Sequence, residues 1–175
     1  MTATGRGSKI STKHDVYPTP QWPTTRFLER WDIANEDRPM HWLESSAGNG
    51  AIVKAVNAYR ESKKLIPIVW TVCEIRPIVR AELNALSDDV RILDFVESPI
   101  DSLRKKRRDK ITVQNGDPTP LPPLYDVGIF NPPFTLTMEF YRRNRVLCRE
   151  IAMLQRQNFI GSADRNIELR ADMPD

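Results

Sequence analysis

The segment Asp126-Val127-Gly128-Ile129-Phe130-Asn131-Pro132-Pro133-Phe134 limits what the chain can fold into more than any other stretch. An apolar run stops abruptly at a polar residue, two prolines and an aromatic. Val127, Ile129 and Phe130 suit a strand covered on both faces, whereas consecutive prolines have no N–H to donate and cannot continue a sheet ladder. The strand is expected to end at Asn131. Pro132 keeps Asn131 out of the helical region and Pro133 does the same to Pro132, so the carbonyls around the asparagine point in fixed directions.

A corner of this kind can hold two acceptors close together. An amino group conjugated to an aromatic ring is a poor nucleophile because its lone pair is delocalised. Two acceptors gripping its hydrogens favour a pyramidal nitrogen with a free lone pair. The side-chain oxygen of Asn131 and the backbone oxygen of Pro132 are candidates for those acceptors, and Phe134 offers a face for a planar base. The alternative is a plain strand-ending turn, because Asn-Pro commonly opens turns.

Upstream, Met40 to Glu44 is expected to form a first strand. Ser45-Ser46-Ala47-Gly48-Asn49-Gly50 follows as a small-residue turn, leading into a helix from Ala51 to Tyr59. Glycines at such a turn let a ligand approach the backbone, and the helix start offers free N–H groups. Ile68 to Cys73 is a second strand closing at Glu74, 24 positions beyond Gly50. That is where a Rossmann-like sheet places the acid that accepts ribose hydroxyls. A solvated strand end is the plainer alternative. Val90 to Leu93 gives a third strand, followed by Asp94-Phe95, so Glu44, Glu74 and Asp94 are expected along one sheet edge.

Asn131-Pro132-Pro133-Phe134 resembles the catalytic motif of S-adenosylmethionine-dependent amino-methyltransferases. Tyr17-Pro18-Thr19-Pro20, together with Leu43 to Ile52, is similar specifically to the phage-type DNA N6-adenine methyltransferases. The resemblance implies an α/β, Rossmann-like class I methyltransferase sheet, mostly parallel, with S-adenosylmethionine as cofactor and DNA as partner, its target adenine flipped out. It implies no metal and a cytoplasmic setting in a bacterial or phage-infected host cell. Asn131, Pro132, Pro133 and Phe134 are the implied catalytic residues. Glu44, Ser46, Ala47, Gly48, Gly50, Glu74 and Asn131 are the implied donor site, Thr19 bonding the methionine carboxylate with Tyr17 and Pro20 beside it. Asp94 would bond the donor's adenine amino group and Phe95 would pack near that ring. The four-residue motif alone also fits methylation of cytosine N4, RNA or protein glutamine. A catalytically silent nucleic-acid-binding module and, from the glycine turn and Glu74, an NAD-binding oxidoreductase are further alternatives.

The remaining expectations concern organisation. With 175 residues, 40% of them hydrophobic, one domain is the default, here residues 14–175 after a flexible basic arm at 1–13. The net charge of +3 and a sequence pI near 9.0 suit a nucleic-acid partner without requiring one. Cys73 and Cys148 lie far apart in apolar stretches and show neither zinc nor disulfide spacing, and no run of ~20 apolar residues could span a membrane. A helix over about 23 to 32, one opening at Pro77, a short one after Ser98, one from Thr137 to Cys148 and a last one from Ala163 to Asp172 are expected around the strands. Lys105-Lys106-Arg107-Arg108 is a candidate phosphate contact or a solvated charged face, and Arg142, Arg143, Arg145 and Arg149 give the helix after the motif a basic side. A fifth strand is expected at Ile151 to Leu154. The resembled family adds two further strands there, whereas this sequence stops at Asp175. The expectation is a C-terminally incomplete domain with an uncovered edge and little transfer activity. Ser45 stands where related sequences usually have proline.

Overall fold

The computed structural model describes residues 19–104, 123–156, 159, 161 and 163–171. The basic arm, Tyr17 and the Lys105–Arg108 cluster lie outside them. Five strands, β1 (His41–Glu44), β2 (Val69–Glu74), β3 (Asp89–Ile92), β4 (Tyr125–Phe130) and β5 (Cys148–Met153), form one sheet in the order β3-β2-β1-β4-β5. Every adjacent pair is parallel. The chain runs outward from β1 through β2 to β3 and then returns to the other side of β1 as β4. The order therefore reverses between β1 and β4, and a crevice opens at their carboxyl ends.

Alternation along the strands builds two cores. Trp42, Trp70, Val72, Val127 and Ile129 pack with α1 (Gln21–Leu28), α2 (Ala51–Ser62) and Leu83 of α3 (Arg80–Asn84). Leu43, Cys73 and Phe130 pack on the opposite face with Leu103 of α4 (Ile100–Arg104) and with Phe140 and Leu147 of α5 (Thr137–Leu147). Three tryptophans run through the first core, Trp31 to Trp42 and Trp42 to Trp70 each with ring centroids 5.7 Å apart. Burial pushes the thiols of Cys73, to about 12, and Cys148 upward, so both are protonated packing groups.

Asp126 sets the starts of β1 and β4 against one another. Its carboxylate accepts the His41 N–H at 2.8 Å and pairs with Arg38 at 3.1 Å. Burial opposes its ionisation, yet the His41 N–H and the Arg38 guanidinium outweigh burial and hold its pKa below the usual carboxylate value.

Several boundaries shift by one to a few residues from the sequence expectation, and two of the shifts have a clear physical cause. The first helix covers Gln21–Leu28, because Asn35 Nδ2 takes the Leu28 and Trp31 carbonyls and the chain tightens into a 3-10 turn at Asp32–Asn35. The fifth strand starts at Cys148 and ends at Met153, where Ile151 to Leu154 was expected. Arg149 and Glu150 look helical in sequence but are exposed here, as charges on an edge strand are. Among the described residues β5 has β4 on one side and no strand on the other. The last helix, α6 (Ala163–Arg170), is pinned to α5 by a two-pronged contact of Arg142 with Glu168 at 2.7 and 2.8 Å.

At Gly128 helix α5 and the sheet approach one another closely. A Cβ there would lie 2.8 Å from both Asn144 Oδ1 and Cys148 Sγ. Gly128→Ala is expected to lower unfolding stability by about 1–3 kcal/mol, the usual cost of overpacking. Urea titration checks this, and an unchanged midpoint would mean that α5 can withdraw freely.

Candidate methyl-donor and acceptor site

Glu44 closes β1 and is 1% exposed. One side of its carboxyl takes the backbone N–H of Val53 in the first turn of α2, while Oε2 is buried without a partner. Burial pushes its pKa well above the ordinary value; the Val53 N–H works against this, and the charge of nearby Glu74 adds to it. Ser46, two residues on, likewise has a buried Oγ without a partner. Two polar atoms with unmet hydrogen-bonding capacity therefore face the same turn.

The turn itself depends on two left-handed glycines. Gly48 has φ +58° and Gly50, which caps α2, has φ +75°. At Gly50 a Cβ would collide with Leu86 at 2.3 Å, so this glycine serves packing as well as conformation. At Gly48 the nearest atom to such a Cβ is Arg76 Nη2, at 3.9 Å. This glycine leaves a shallow cradle over exposed backbone. The turn is tied to β2 through the Ala47 N–H, bonded to the Cys73 carbonyl at 2.9 Å.

Glu74 holds the cradle from the side. Oε2 accepts the Gly48 N–H at 2.7 Å, and Oε1 accepts both the backbone N–H of Arg76 at 3.0 Å and its Nε at 2.8 Å. The carboxylate that the sequence suggests for ribose hydroxyls thus braces the glycine turn and carries a guanidinium. Asp94, beyond β3, accepts the N–H groups of Val96 and Glu97 at 3.0 and 3.2 Å and shapes the following turn. Phe95 lies in the second core, 3% exposed and stacked on Phe140 at 5.2 Å, with the Arg143 guanidinium 5.4 Å from its ring.

Across the crevice, β4 delivers Asn131. Its Nδ2 donates to Thr19 Oγ1 at 3.0 Å, which leaves Oδ1 as the acceptor end of the amide. Pro20, next in the chain, is extended and leads into α1. Pro132 is buried, and the Pro133 carbonyl accepts the Leu136 N–H at 2.9 Å, which fixes the 3-10 turn Phe134–Leu136. Over Phe134 lies the guanidinium of Arg156, 3.9 Å from the ring centroid. A flat, delocalised group already stacks where a base is expected to.

Several contributors had no motif to announce them. Arg76 lies on the Glu74 carboxylate and Arg156 over the Phe134 ring. Arg143 reaches from α5 to the Ser98 carbonyl, so the arginines of that helix diverge to Glu168, Ser98 and the Tyr141 ring and do not share one basic side. Asn144, fully buried, donates to Ser45 Oγ at 2.9 Å. Among the described residues no His, Cys, Asp or Glu cluster is arranged to hold a metal, and no helix is long and apolar enough to cross a membrane.

Neither a family model nor a curated protein matches the sequence. Solved structures do. A Listeria monocytogenes chain described as a class I S-adenosylmethionine-dependent methyltransferase aligns at TM-score 0.59 and 11% identity, over 89% of this chain and 52% of that one. The fold is that of the class I methyltransferases. A Pyrococcus horikoshii chain described as an RNA methyltransferase gives TM-score 0.53 at 12% identity, over 89% of this chain and 69% of that one. A modification subunit of a type I restriction enzyme from Vibrio vulnificus gives 0.50 at 13%, over 78% of this chain and 31% of that one. This chain spans about half the Listeria protein and about a third of the Vibrio subunit.

The buried Glu44 carboxyl generates a pH prediction. Its folded pKa is raised, so the protein takes up a proton on folding. That contribution to stability is complete below the unfolded value, about 4.3, and is lost as pH rises through the folded one. In Glu44→Gln the decline of stability between about pH 4.5 and 7 is expected to be shallower. Urea unfolding across that range reads it, and identical slopes would assign the proton to another group.

Proposed function

We propose that the protein transfers a methyl group from S-adenosylmethionine to the exocyclic N6 of adenine in DNA, acting on a base flipped out of the duplex. The observation that carries the proposal is the Asn131–Thr19 hydrogen bond. It turns the amide oxygen into a free acceptor at the end of β4, at the switch point of a methyltransferase fold.

The donor suits the residues opposite. Glu44 Oε2 and Ser46 Oγ are buried polar atoms in need of a partner, and the Gly48 cradle is open. Glu44, Ser46, Ala47, Gly48, Gly50, Glu74 and Asp94 would hold the donor, with Thr19 and Pro20 beside it. When bound, S-adenosylmethionine supplies a sulfonium-activated methyl group, so the protein's task is positioning and electrostatics. Glu74 receives ribose hydroxyls when Arg76 gives up its side of the carboxylate. Asn131 Oδ1 and the Pro132 carbonyl would accept hydrogen bonds from the two hydrogens of the target amine and so localise its lone pair for attack; one of those hydrogens leaves as a proton to solvent once the nitrogen is methylated. Phe134 supports the base from one face once Arg156 moves aside, and the rigid Pro132-Pro133 corner keeps both acceptors in place. The modification-subunit likeness lends DNA some support as the substrate polymer.

Methyl incorporation from labelled S-adenosylmethionine into adenine-containing DNA, RNA and protein tests the proposal, with DNA the expected acceptor. Asn131→Ala should abolish incorporation while donor binding by calorimetry stays within about twofold, because its oxygen acts on the amine. Wild-type turnover in this variant would discard the acceptor mechanism. Glu74→Ala is expected to weaken donor binding by about 1.5–3 kcal/mol, the range for hydrogen bonds to a charged group. Unchanged affinity would remove Glu74 from the site.

A further inference from the structure

Gln155 lies two residues beyond β5. The β4/β5 register pairs Phe130 with Met153, and the Leu154 N–H continues it by bonding the Phe130 carbonyl at 2.9 Å. Continued two residues past its last pair, that register would bring Gln155 level with Pro132, at the acceptor corner. Phe134, Gln155, Arg156, Phe159 and Arg165 line one cavity of about 180 Å³. Both aromatic rings in it carry a guanidinium, Arg156 at 3.9 Å from Phe134 and Arg165 at 4.6 Å from Phe159. Gln155 Nε2, a strong donor, is buried in this neighbourhood with nothing to donate to. A buried unmet donor costs about 1–3 kcal/mol, and an incoming acceptor relieves that cost.

We propose that Gln155 selects the acceptor base by donating from Nε2 to the unprotonated ring nitrogen beside the exocyclic amine, N1 of adenine or N3 of cytosine. The inference rests on the methyl-transfer reading above and adds to it the residue that reads the ring edge of the acceptor base. Asn131 Oδ1 and the Pro132 carbonyl consume both amine hydrogens. What remains on that edge of the base is the in-plane ring nitrogen, an acceptor only. The ring nitrogens of guanine and thymine at the same position carry hydrogen and would set donor against donor, which a buried site rejects. A protein glutamine would present its own carbonyl oxygen, also an acceptor, at that place. Gln155 therefore separates adenine and cytosine from guanine and thymine by hydrogen-bond polarity, whereas a base is favoured over an amide by the ring area it stacks on Phe134.

The test is fluorescence anisotropy with single-stranded DNA oligonucleotides of random flanks and one fixed central base: adenine, 1-deazaadenine or 7-deazaadenine. Single strands avoid the cost of unpairing the base. Wild-type protein is expected to bind the adenine oligonucleotide about five- to tenfold more tightly than the 1-deazaadenine one, and the 7-deazaadenine one like adenine. Gln155→Leu should weaken adenine binding by about the same factor and erase the preference. Calorimetry with S-adenosylmethionine shows whether that variant is folded. Gln155→Glu, which keeps the size and loses the donor, should behave in the same way. Equal wild-type binding of adenine and 1-deazaadenine, a loss only with 7-deazaadenine, no oligonucleotide binding, or a preference that survives Gln155→Leu would each overturn the assignment. If the preference appears while S-adenosylmethionine fails to bind, Gln155 keeps its role and the methyl-transfer reading falls. If the donor binds without the preference, the reverse holds.

Discussion

Asn144 sits fully buried on α5, and its amide ties that helix by hydrogen bonds to the residue after β1 and to the first residue of β5. Its Nδ2 donates to Ser45 Oγ at 2.9 Å and to the Phe140 carbonyl at 2.8 Å, and its Oδ1 accepts weakly from the Cys148 thiol at 3.9 Å. The amide fits only because β4 has Gly128 beneath it. A buried amide with its partners satisfied tolerates little displacement, because any shift strands a desolvated group. Through Ser45 the amide touches the start of the glycine turn, and against Gly128 it lies on the strand that ends at Asn131.

The three acids at the sheet edge share a position and differ in what surrounds them. Glu44 is sealed beneath α2 and pushed toward its neutral form. Glu74 is held by the Gly48 N–H and by Arg76, and Asp94 shapes its own turn. Only the first keeps an unmet oxygen within the protein. A cationic ligand reaching Glu44 would restore its charge, so ligand binding there is linked to proton release. Arg60 shows the opposite solution for a buried charge: it is 1% exposed, its pKa is lowered by burial, and its guanidinium is spread over the carbonyls of Ala34, Glu36 and Ile66.

Much of the framework was legible in the sequence because it is written in local patterns. Short runs leading into an acid made β1 to β3 readable, the β-branched one being β2; the run into Asn-Pro-Pro marked β4, and Gly48 and Gly50 marked the turn. Arg149 and Glu150 concealed the start of β5, because exposed charges look alike on a helix and on an edge strand. Phe95 shows a second limit: that it is apolar is plain, whereas its choice of Phe140 as a stacking partner depends on how far α5 leans toward the sheet. Arg76, Arg156 and Asn144 were invisible for the same reason. Long or amide side chains acquire their roles from distances between elements that only the folded chain sets.

The passage from α5 to β5 contains no connecting loop. The helix ends at Leu147, and Cys148 is already extended, at φ −120° and ψ 148°, while its N–H still bonds the Asn144 carbonyl. One added or deleted residue here would turn every β5 side chain to the other face of the sheet and also rotate Asn144 away from Ser45. The junction acts as a ruler between the motif and the strand that carries Gln155. Length variation is therefore expected to collect in the other connections and to spare this one.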